Sequence, residues 1–356
     1  MKVVTFGELM LRLSPKDNLR LFQEKDFEAT FGGGEANVAV SIANYGMDAS
    51  FVTKLPDNDI SRAAIKELKS LSVDTNNIVF GGDRMGIYYA EKGVGVRPSK
   101  VIYDRAHSSI SEADPSDFDF EKIFEGADWF HFTGITPALS KSCAEICEIA
   151  ARKAKEMGLI VSCDLNYRSK LWSKEEAQKT MSKLMKYVDV LICNEQDASD
   201  VFGITSSRSD ISNGVIDKED YVLIASELQR KFSLNAVAIT LRESLSASDN
   251  NWSAMLYKGD NSLFSKKYSL RIVDRIGGGD SFAGGLIYGM LSGFSDRDAL
   301  EFAVSASALK HTIEGDYNRV TKDEVLRLMK GDKSGRVQRW AWMLEFQDLQ
   351  TRFLNL

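Results

Sequence analysis

Short apolar runs that are typical of buried strands alternate with amphipathic segments along most of the chain. The apolar runs are KVVTFGEL, ASFVTKL, DWFHFTG, LIVSCDLNYR, DVLICNEQDA and AVAITL. Segments between them, such as ISRAAIKELKSLSV and KEEAQKTMSKLMKYV, have the period of an α-helix. Strand followed by helix, repeated in this way, predicts an α/β fold with a doubly wound, mostly parallel sheet flanked by helices.

Two segments interrupt this alternation. Residues from about 10 to 30 alternate like short strands, and residues from about 84 to 107 alternate and are rich in Tyr, Val and Gly. Together the two insertions predict a small separate β-sheet, which we expect to pack as a lid over one end of the main sheet.

The chain ends in WAWMLEFQDLQTRFLNL, which predicts an amphipathic helical tail over residues 337–356, after a main domain of residues 1–336. Its apolar stripe is formed by Trp340, Met343, Leu344, Phe346, Phe353 and Leu354. Such a helix either docks on a partner subunit or, as the simpler alternative, buries an apolar strip of its own chain.

Composition narrows the class of protein. With 356 residues, 44% of them hydrophobic and 27% charged, the chain has the composition of a globular protein. The net charge of -6 argues against a nucleic-acid surface and favours small-molecule chemistry. The opening MKVVTFGELM indicates a strand rather than a signal peptide, and no apolar run reaches the roughly 18 residues of a membrane span. We therefore expect a cytoplasmic protein that binds no membrane.

The four cysteines, Cys143, Cys147, Cys163 and Cys193, have neither the spacing of a zinc site nor that of a disulfide framework. Free cysteine is among the most readily buried residue types. The sequence therefore predicts buried, reduced thiols.

Two glycine-rich segments each lead into a predicted helix. FGGGEANVA lacks the third glycine of a dinucleotide fingerprint, and the Walker pattern occurs nowhere in the sequence. GGGDSFAGGLIYG places backbone N–H groups at a helix start, where an anion is favoured, and we expect Asp280 to cap that helix. By itself the segment is either a capped turn or an anion site.

Polar residues at the ends of predicted strands favour an anion site over a capped turn. Asp164, Asn166 and Arg168 follow one predicted strand, and Asn194 and Glu195 follow the next. Ligands of open α/β sheets bind at the carboxyl ends of the strands. Helix capping explains one such residue but not five.

Four segments in order, GGGEANVAVSIANYG, DLNYRSKLW, ICNEQDA and VDRIGGGDSFAGGLIYG, resemble the ribokinase family of carbohydrate kinases, the PfkB type, over residues 1–336. Within that family, the segments GIYYAEKGVGVRPSKVIYDRAHS, ALKHTIEGD and GDKSGRVQR are most similar to 2-keto-3-deoxygluconate kinases. The resemblance implies a ribokinase-like fold and a sugar kinase that uses ATP and Mg²⁺.

The resemblance also implies roles for particular residues. Asp280 is expected to take the proton of the substrate hydroxyl, while Gly277, Gly278 and Gly279 surround the transferring phosphoryl group. The residues implied in sugar binding are Gly33, Gly34, Tyr89, Tyr103, Arg105, Arg168, Asp280 and Asp316. Those implied in ATP binding are Asn166, Arg168, Asn194, Thr240, Arg242, Gly277 and Gly279.

The charge of the candidate sugar site favours an acidic sugar. Arg105 and Arg168 offer planar, permanently charged donors that suit a substrate carboxylate. The alternatives are that both arginines are surface or salt-bridge residues and that Tyr89 and Tyr103 only pack within the small sheet.

Two positions depart from the family pattern. Asn194 begins its N-x-x-E motif, but the fourth residue is Asp197, whose shorter side chain is expected to reach a metal ion through a water. Asp274, Arg275 and Ile276 stand where the family has Asp-Thr-x, a segment related to a monovalent cation, so potassium activation is left open. The family resemblance also implies a homo-oligomer formed through the small sheet.

The sequence thus predicts ATP-dependent phosphorylation of 2-dehydro-3-deoxy-D-gluconate at its 6-hydroxyl. Fructokinase, ribokinase and 5-dehydro-2-deoxygluconokinase activities are alternatives within the family. A catalytically inactive sugar sensor on the same fold is the alternative of another class; it predicts loss of Asp280 or of the glycines, and the sequence retains both.

Overall fold

The computed structural model describes residues 1–205 and 217–332. The predicted tail, 337–356, and most of the segment GDKSGRVQR lie outside the described residues. Within the described part of the chain, no helix is long and apolar enough to span a membrane.

Each of the six predicted apolar runs overlaps a strand. In chain order the strands are β1 (Lys2–Phe6), β2 (Met10–Ser14), β3 (Glu28–Gly32), β4 (Asp48–Val52), β5 (Lys54–Leu55), β6 (Val79–Phe80), β7 (Gly86–Glu91), β8 (Lys100–Asp104), β9 (Trp129–Thr133), β10 (Ile160–Asp164), β11 (Val190–Cys193), β12 (Ala236–Ser244), β13 (Asp249–Lys258), β14 (Asn261–Phe264) and β15 (Tyr268–Arg271).

The α-helices fill the connections between strands. They are α1 (Gly34–Asn44), α2 (Asp59–Ser70), α3 (Phe120–Ile123), α4 (Lys141–Glu156), α5 (Lys174–Leu184), α6 (Glu195–Phe202), α7 (Lys218–Phe232), α8 (Gly278–Leu291), α9 (Asp296–Lys310) and α10 (Lys322–Met329).

The main sheet has nine strands in the order β14-β13-β12-β11-β10-β9-β1-β4, and β15 also pairs with β13. Neighbours from β4 to β12 run parallel, whereas β13, β14 and β15 join antiparallel. The order reverses between β1 and β9, because the chain first builds outward to β4 and then in the other direction. This is the doubly wound, mostly parallel sheet that the sequence predicts, and such a reversal is where α/β folds bind ligands.

Alternate residues of the central strands face opposite layers of helices. On β1, Val4 and Phe6 pack into the layer of α4, α5 and α7, whereas Val3 packs into the layer of α1, α8 and α9. Phe130 and Trp129 on β9 divide in the same way. A strand that is buried on both faces needs apolar residues at odd and at even positions, which explains the nearly continuous apolar runs.

A second, four-stranded sheet has the order β3-β2-β7-β8. It draws β2 and β3 from the first predicted insertion and β7 and β8 from the second, so the prediction of a small separate sheet is confirmed. Arg12 on β2 joins it to the body, since its guanidinium bonds Asp274 at 2.6 Å and Asp316 at 2.7 Å.

The four cysteines are buried and free, as the sequence predicts. All four side chains are at most 2% exposed. Cys163 and Cys193 lie on adjacent strands of the main sheet, and Cys143 and Cys147 lie on the buried face of α4.

Helices α8 and α9 pack closely because α8 presents glycine to its neighbour. A Cβ atom at Gly285 would lie 2.8 Å from Cα of Ala303, and one at Gly289 would lie 2.8 Å from Cα of Ala299. The obstructing atoms belong to the backbone of α9, so rotation of a side chain cannot make room.

We expect Gly285→Val to lower the free energy of unfolding by about 1–3 kcal/mol, because the added side chain overpacks this contact. Urea unfolding followed by circular dichroism measures the loss. Gln178→Val at an exposed position of α5 is the control for the cost of a β-branched residue in a helix. Equal loss in both variants would contradict the packing argument.

Candidate active site

A cleft of about 1140 Å³ lies at the carboxyl ends of the parallel strands, between the main sheet and the small sheet. Most residues predicted for the site line it. They are Gly33, Gly34, Tyr103, Arg105, Asn166, Arg168, Asn194, Asp197, Thr240, Arg242, Gly277, Gly279, Asp280 and Asp316. Gly278 and Tyr89 are not among the lining residues.

Asp280 is partly buried in the first turn of α8, which packs on α1. Its Oδ2 accepts a hydrogen bond of 2.7 Å from Nδ2 of Asn37, 243 residues away in the chain. Desolvation raises the pKa of Asp280 to about 7, since it outweighs the Asn37 hydrogen bond, and the charges of Asp316 and Glu35 act in the same direction. A carboxylate of this kind accepts a proton near neutral pH.

The expected capping role of Asp280 is wrong. Helix α8 begins after Gly277, which is the N-cap and makes no side-chain capping bond, and Asp280 is the third helical residue. Its carboxylate bonds Asn37 instead of the helix backbone. The Asp280 side chain is therefore directed toward α1, where it lines the cleft, rather than back onto its own helix.

The three glycines have different surroundings. Gly277 has the left-handed φ of 83°, and a Cβ atom there would lie 2.1 Å from the carbonyl oxygen of Asp316. Gly278 is buried against the ring of His311, whereas a Cβ at Gly279 would meet no atom within 4 Å. Gly279 therefore leaves the N-terminus of α8 open to a ligand, where the first backbone N–H groups lack helical acceptors.

Gly34 keeps space in front of Asp280. A Cβ atom at Gly34 would lie 3.6 Å from Oδ1 of Asp280 and 3.3 Å from Cγ2 of Thr133. Gly33 permits a second close approach, because a Cβ there would lie 1.9 Å from the carbonyl oxygen of Glu8. The glycine loop before α1 thus lets a substrate come close to the Asp280 carboxylate.

Tyr88 faces the cleft in the place expected for Tyr89. Tyr88 is 3% exposed, and its hydroxyl donates to Oδ2 of Asp316 at 2.5 Å. Tyr88 pairs with Tyr103 across β7 and β8, so both lie on one face of the small sheet. Tyr89 points to the opposite face and packs near Phe27, because successive side chains of a strand alternate.

Arg105 is held in place by Glu8. Its Nη2 bonds Oε2 of Glu8, whose Oε1 also accepts a bond of 2.7 Å from Oγ of Ser108. The guanidinium lies 5.2 Å from the centroid of the Tyr103 ring. Its buried Nε has no hydrogen-bond partner among the described residues. Arg105 therefore retains donor capacity beside the cleft.

Arg168 lies on the other wall of the cleft. Its Nη1 donates to the carbonyl oxygens of Tyr167 at 3.0 Å and of Asn166 at 3.4 Å. Asn166 has an uncommon φ of 40°, which turns the chain sharply after β10. The positive charge of Arg168 opposes the rise in pKa of the nearby Asp164 and Asp197 carboxyls.

Asn194 and Asp197 form a capping box at the start of α6. Oδ1 of Asn194 accepts from the Asp197 backbone N–H at 2.8 Å, and Oδ2 of Asp197 accepts from that of Asn194 at 3.4 Å. Burial raises the pKa of Asp197 to about 6. Burial and the Asp197 charge raise the pKa of Asp164 well above its usual range.

The Asp164 and Asp197 carboxylates fit a Mg²⁺ ion that is also held by substrate phosphates and waters. Among the described residues no group of three or more His, Cys, Asp and Glu side chains forms a metal cage. Mg²⁺ is usually held by one or two carboxylates together with substrate phosphates and waters, which requires no such cage. Asp164 and Asp197 both supply carboxylates to the cleft wall, and a cation would offset the Asp197 charge that raises the pKa of Asp164.

The far end of the cleft is basic. Thr240 and Arg242 on β12 face it together with Arg275. Burial and the charge of Arg242 lower the pKa of Arg275, whose Nη2 donates to the carbonyl oxygen of Ala247 at 2.8 Å. The guanidiniums of Arg242 on β12 and of Arg275 before the glycine loop together suit a polyanion.

Asn37, Tyr88 and Arg275 line the cleft without having been predicted to do so. The sequence contains a signal for Asn37, because it is a polar residue among the apolar positions of α1. Tyr88 could have been found from the alternation of β7. For Arg275 the departure from the family pattern was the only signal.

Comparison with known proteins identifies relatives that match most of the chain. Residues 1–323 match the family described as pfkB family carbohydrate kinase. The 2-dehydro-3-deoxygalactonokinase of Haloferax volcanii is 34% identical over 334 residues, covering 94% of this chain and 98% of the relative. The 2-dehydro-3-deoxygluconokinase of Thermoproteus tenax is 30% identical over 318 residues, covering 88% and 89%.

One solved structure is similar to this chain in both sequence and fold. The crystal structure of the 2-dehydro-3-deoxygluconokinase of Thermotoga maritima is 53% identical, with a TM-score of 0.90, and the match covers 93% of this chain and 98% of that one. The resemblance inferred from four sequence segments is confirmed by these matches. The chain belongs to the pfkB family of carbohydrate kinases.

Proposed function

We propose that this protein uses ATP to phosphorylate 2-dehydro-3-deoxy-D-gluconate at its 6-hydroxyl. The observation that carries the proposal is the position of Asp280, whose carboxylate faces Gly34 at the open N-terminus of α8. A hydroxyl placed beside Gly34 lies between a proton acceptor and a group of backbone N–H donors. Phosphoryl transfer needs mainly this positioning and stabilisation of charge.

In the reaction, Asp280 takes the proton of the sugar hydroxyl while the hydroxyl oxygen forms a bond to the γ-phosphorus. The bond between the γ-phosphorus and the β–γ bridging oxygen breaks, and ADP leaves. The backbone N–H groups at the start of α8 stabilise the negative charge of the transferring group, and the helix dipole adds to their effect. Arg242 and Arg275 are placed to bind the nucleotide phosphates. Mg²⁺, when bound, would neutralise phosphate charge, with Asp164 and Asp197 as its candidate protein partners.

The acidic sugar is supported by the arginines of the cleft. Arg105 and Arg168 lie on facing walls, and Arg105 has an unpartnered buried Nε. A neutral ketose has no charge to pair with two guanidiniums, whereas a 2-keto-3-deoxy acid does. Relatives named for both the gluconate and the galactonate compound support this substrate class, and these two sugars differ only in the configuration of one hydroxyl.

The family resemblance leads to two further predictions, one about movement of the small sheet and one about the oligomeric state. The small sheet is expected to close over the sugar, since its Tyr103 and Arg105 line the cleft. A homo-oligomer formed through that sheet stays a prediction.

We expect Asp280→Asn to lower kcat by about 10²–10⁴, the usual contribution of a positioned acid or base. Binding of sugar and ATP, measured by calorimetry, is expected to change little, because the amide has the same shape. Asp323→Asn, at an exposed helix start outside the cleft, is the matched control. Turnover that survives in Asp280→Asn would disprove its role as the base.

We expect kcat/KM to fall as the pH drops through about 7, because the raised pKa of Asp280 in the free enzyme leaves the base protonated below that value. The Asn37 hydrogen bond favours the ionised form and lowers the pKa of Asp280. Asn37→Ala is therefore expected to move the acidic limb of the kcat/KM profile upward by about one pH unit. A limb that stays in place or moves downward would contradict the assignment.

We expect the wild-type protein to phosphorylate 2-dehydro-3-deoxy-D-gluconate with a kcat/KM at least about 100-fold above that for fructose or ribose, because a neutral sugar offers no carboxylate to Arg168 or to the N–H donors of Arg105 that Glu8 leaves free. An ATP-coupled assay over acidic and neutral sugars measures the ratio. Faster turnover of fructose would favour the neutral-sugar alternatives.

A further inference from the structure

Lys310, the last residue of α9, has a completely buried side chain, 0% exposed. Its Nζ donates to the carbonyl oxygen of Ile313 at 3.2 Å and lies 3.5 Å from that of Asp274. Within residues 1–205 and 217–332 it forms no ion pair. A buried ammonium group without a carboxylate partner is costly, so its retention calls for a reason.

The two carbonyl groups belong to the two segments that build the cleft floor. Residues 273–277 lead into α8, and residues 311–316 end at Asp316. The segments are already joined by a bond of 2.8 Å from the Val273 N–H to the His311 carbonyl and by one of 3.2 Å from the Gly315 N–H to Asp274. Lys310 adds a cationic bridge between them.

Lys310 lies directly beneath the glycine loop. A Cβ atom at Gly277 would lie 3.1 Å from Cε of Lys310, on the side away from the cleft. The next residue, His311, packs against Gly278, and Oγ of Ser307 donates to the Gly278 carbonyl at 2.7 Å. The last turn of α9 therefore supports the loop that presents its N–H groups to the phosphoryl group.

Negative charge collects around this point. The carboxylates of Asp274 and Asp316 are bound by Arg12 from the small sheet, and the carbonyl end of α9 adds its own partial negative charge. Burial lowers the pKa of Lys310, and the charges of Asp274 and Asp316 oppose that change. Arg12 thus neutralises the carboxylates from one side, while Lys310 binds the carbonyl groups from the other.

We propose that Lys310 is a positioning residue whose ammonium group serves as an internal cation, holding the carbonyl oxygens of Asp274 and Ile313 together and so fixing the glycine loop and Asp316. Backbone carbonyl oxygens are also the ligands of K⁺ in proteins. Because Lys310 occupies the space between these oxygens, the enzyme needs no added monovalent cation. The inference rests on the proposed kinase function and answers the question of potassium activation.

The first test uses the unaltered protein. Turnover of 2-dehydro-3-deoxy-D-gluconate is measured in KCl, NaCl and tetramethylammonium chloride at equal ionic strength. We expect kcat to agree within about twofold in all three salts. A fivefold or greater dependence on K⁺ would overturn the inference, and no variant has to fold for this result.

The second test removes the ammonium group. Lys310→Met keeps most of the side-chain volume, and we expect kcat to fall at least tenfold while KM for the sugar changes less than threefold. Lys155→Met removes an ammonium that pairs with Asp189 at the opposite end of the sheet, and its kcat is expected to stay unchanged. A wild-type kcat in Lys310→Met would overturn the positioning role.

The third test separates positioning from general stability. In Lys310→Ala, added ethylammonium or K⁺ is expected to restore kcat in a saturable way, whereas neither changes the wild-type rate. A variant that loses activity without any rescue would show that Lys310 acts only in folding and would overturn the inference. If the wild-type protein phosphorylates no sugar acid, the proposed function fails instead, so the two failures are distinguishable.

Discussion

The close approach of Gly277 to the carbonyl oxygen of Asp316 is the constraint on which the site depends. A Cβ atom at this position would lie 2.1 Å from that oxygen, and the left-handed φ of 83° is likewise suited to glycine. This contact brings the N-terminus of α8 beside the segment that follows α9. Because α8 also packs on α1, Asp280 is carried to the point where the strand order reverses between β1 and β9.

The chemistry of the cleft follows from how its charges are balanced. Carboxylates from separate elements, Asp164, Asp197, Asp280 and Asp316, line one cavity, and burial raises the pKa of the first three. Arg168, on the cleft wall, opposes the pKa rise of Asp164, Asp197 and Asp280. Arg12 on the small sheet pairs with Asp316 from outside the cleft. Within the part of the chain that the structure describes, the Asn37 amide is the only hydrogen-bonding partner of the Asp280 side chain, which suits a group that must gain and lose a proton.

Local patterns in the sequence are enough to predict the architecture and much of the site. Alternating strands and helices give the doubly wound sheet, and two insertions with strand-like alternation give the small sheet. The glycine loops and Asp280 are recognisable because a helix N-terminus open to an anion leaves a short, contiguous signature. The polar residues after β10 and β11 are predictable because parallel strands end at one edge.

The features that the sequence does not predict depend on contacts between segments that are distant in the chain. No local rule connects Arg12 to Asp274 and Asp316, or Lys310 to the carbonyl groups of two loops. The placement of Tyr89 is wrong by one residue because strand parity depends on pairing between β7 and β8. Asp280 was expected to cap α8 because Asp favours that position, but the N-cap is Gly277 and Asn37 from another helix binds the carboxylate.

A structure of the protein with 2-dehydro-3-deoxy-D-gluconate and a non-hydrolysable ATP analogue tests the central claim most directly. The account predicts the 6-hydroxyl within about 2.6–3.2 Å of an Asp280 carboxylate oxygen, with the γ-phosphate at the N-terminus of α8 and the sugar carboxylate between Arg105 and Arg168. A 6-hydroxyl beyond hydrogen-bond reach of Asp280, on the other side of the cleft, would contradict it.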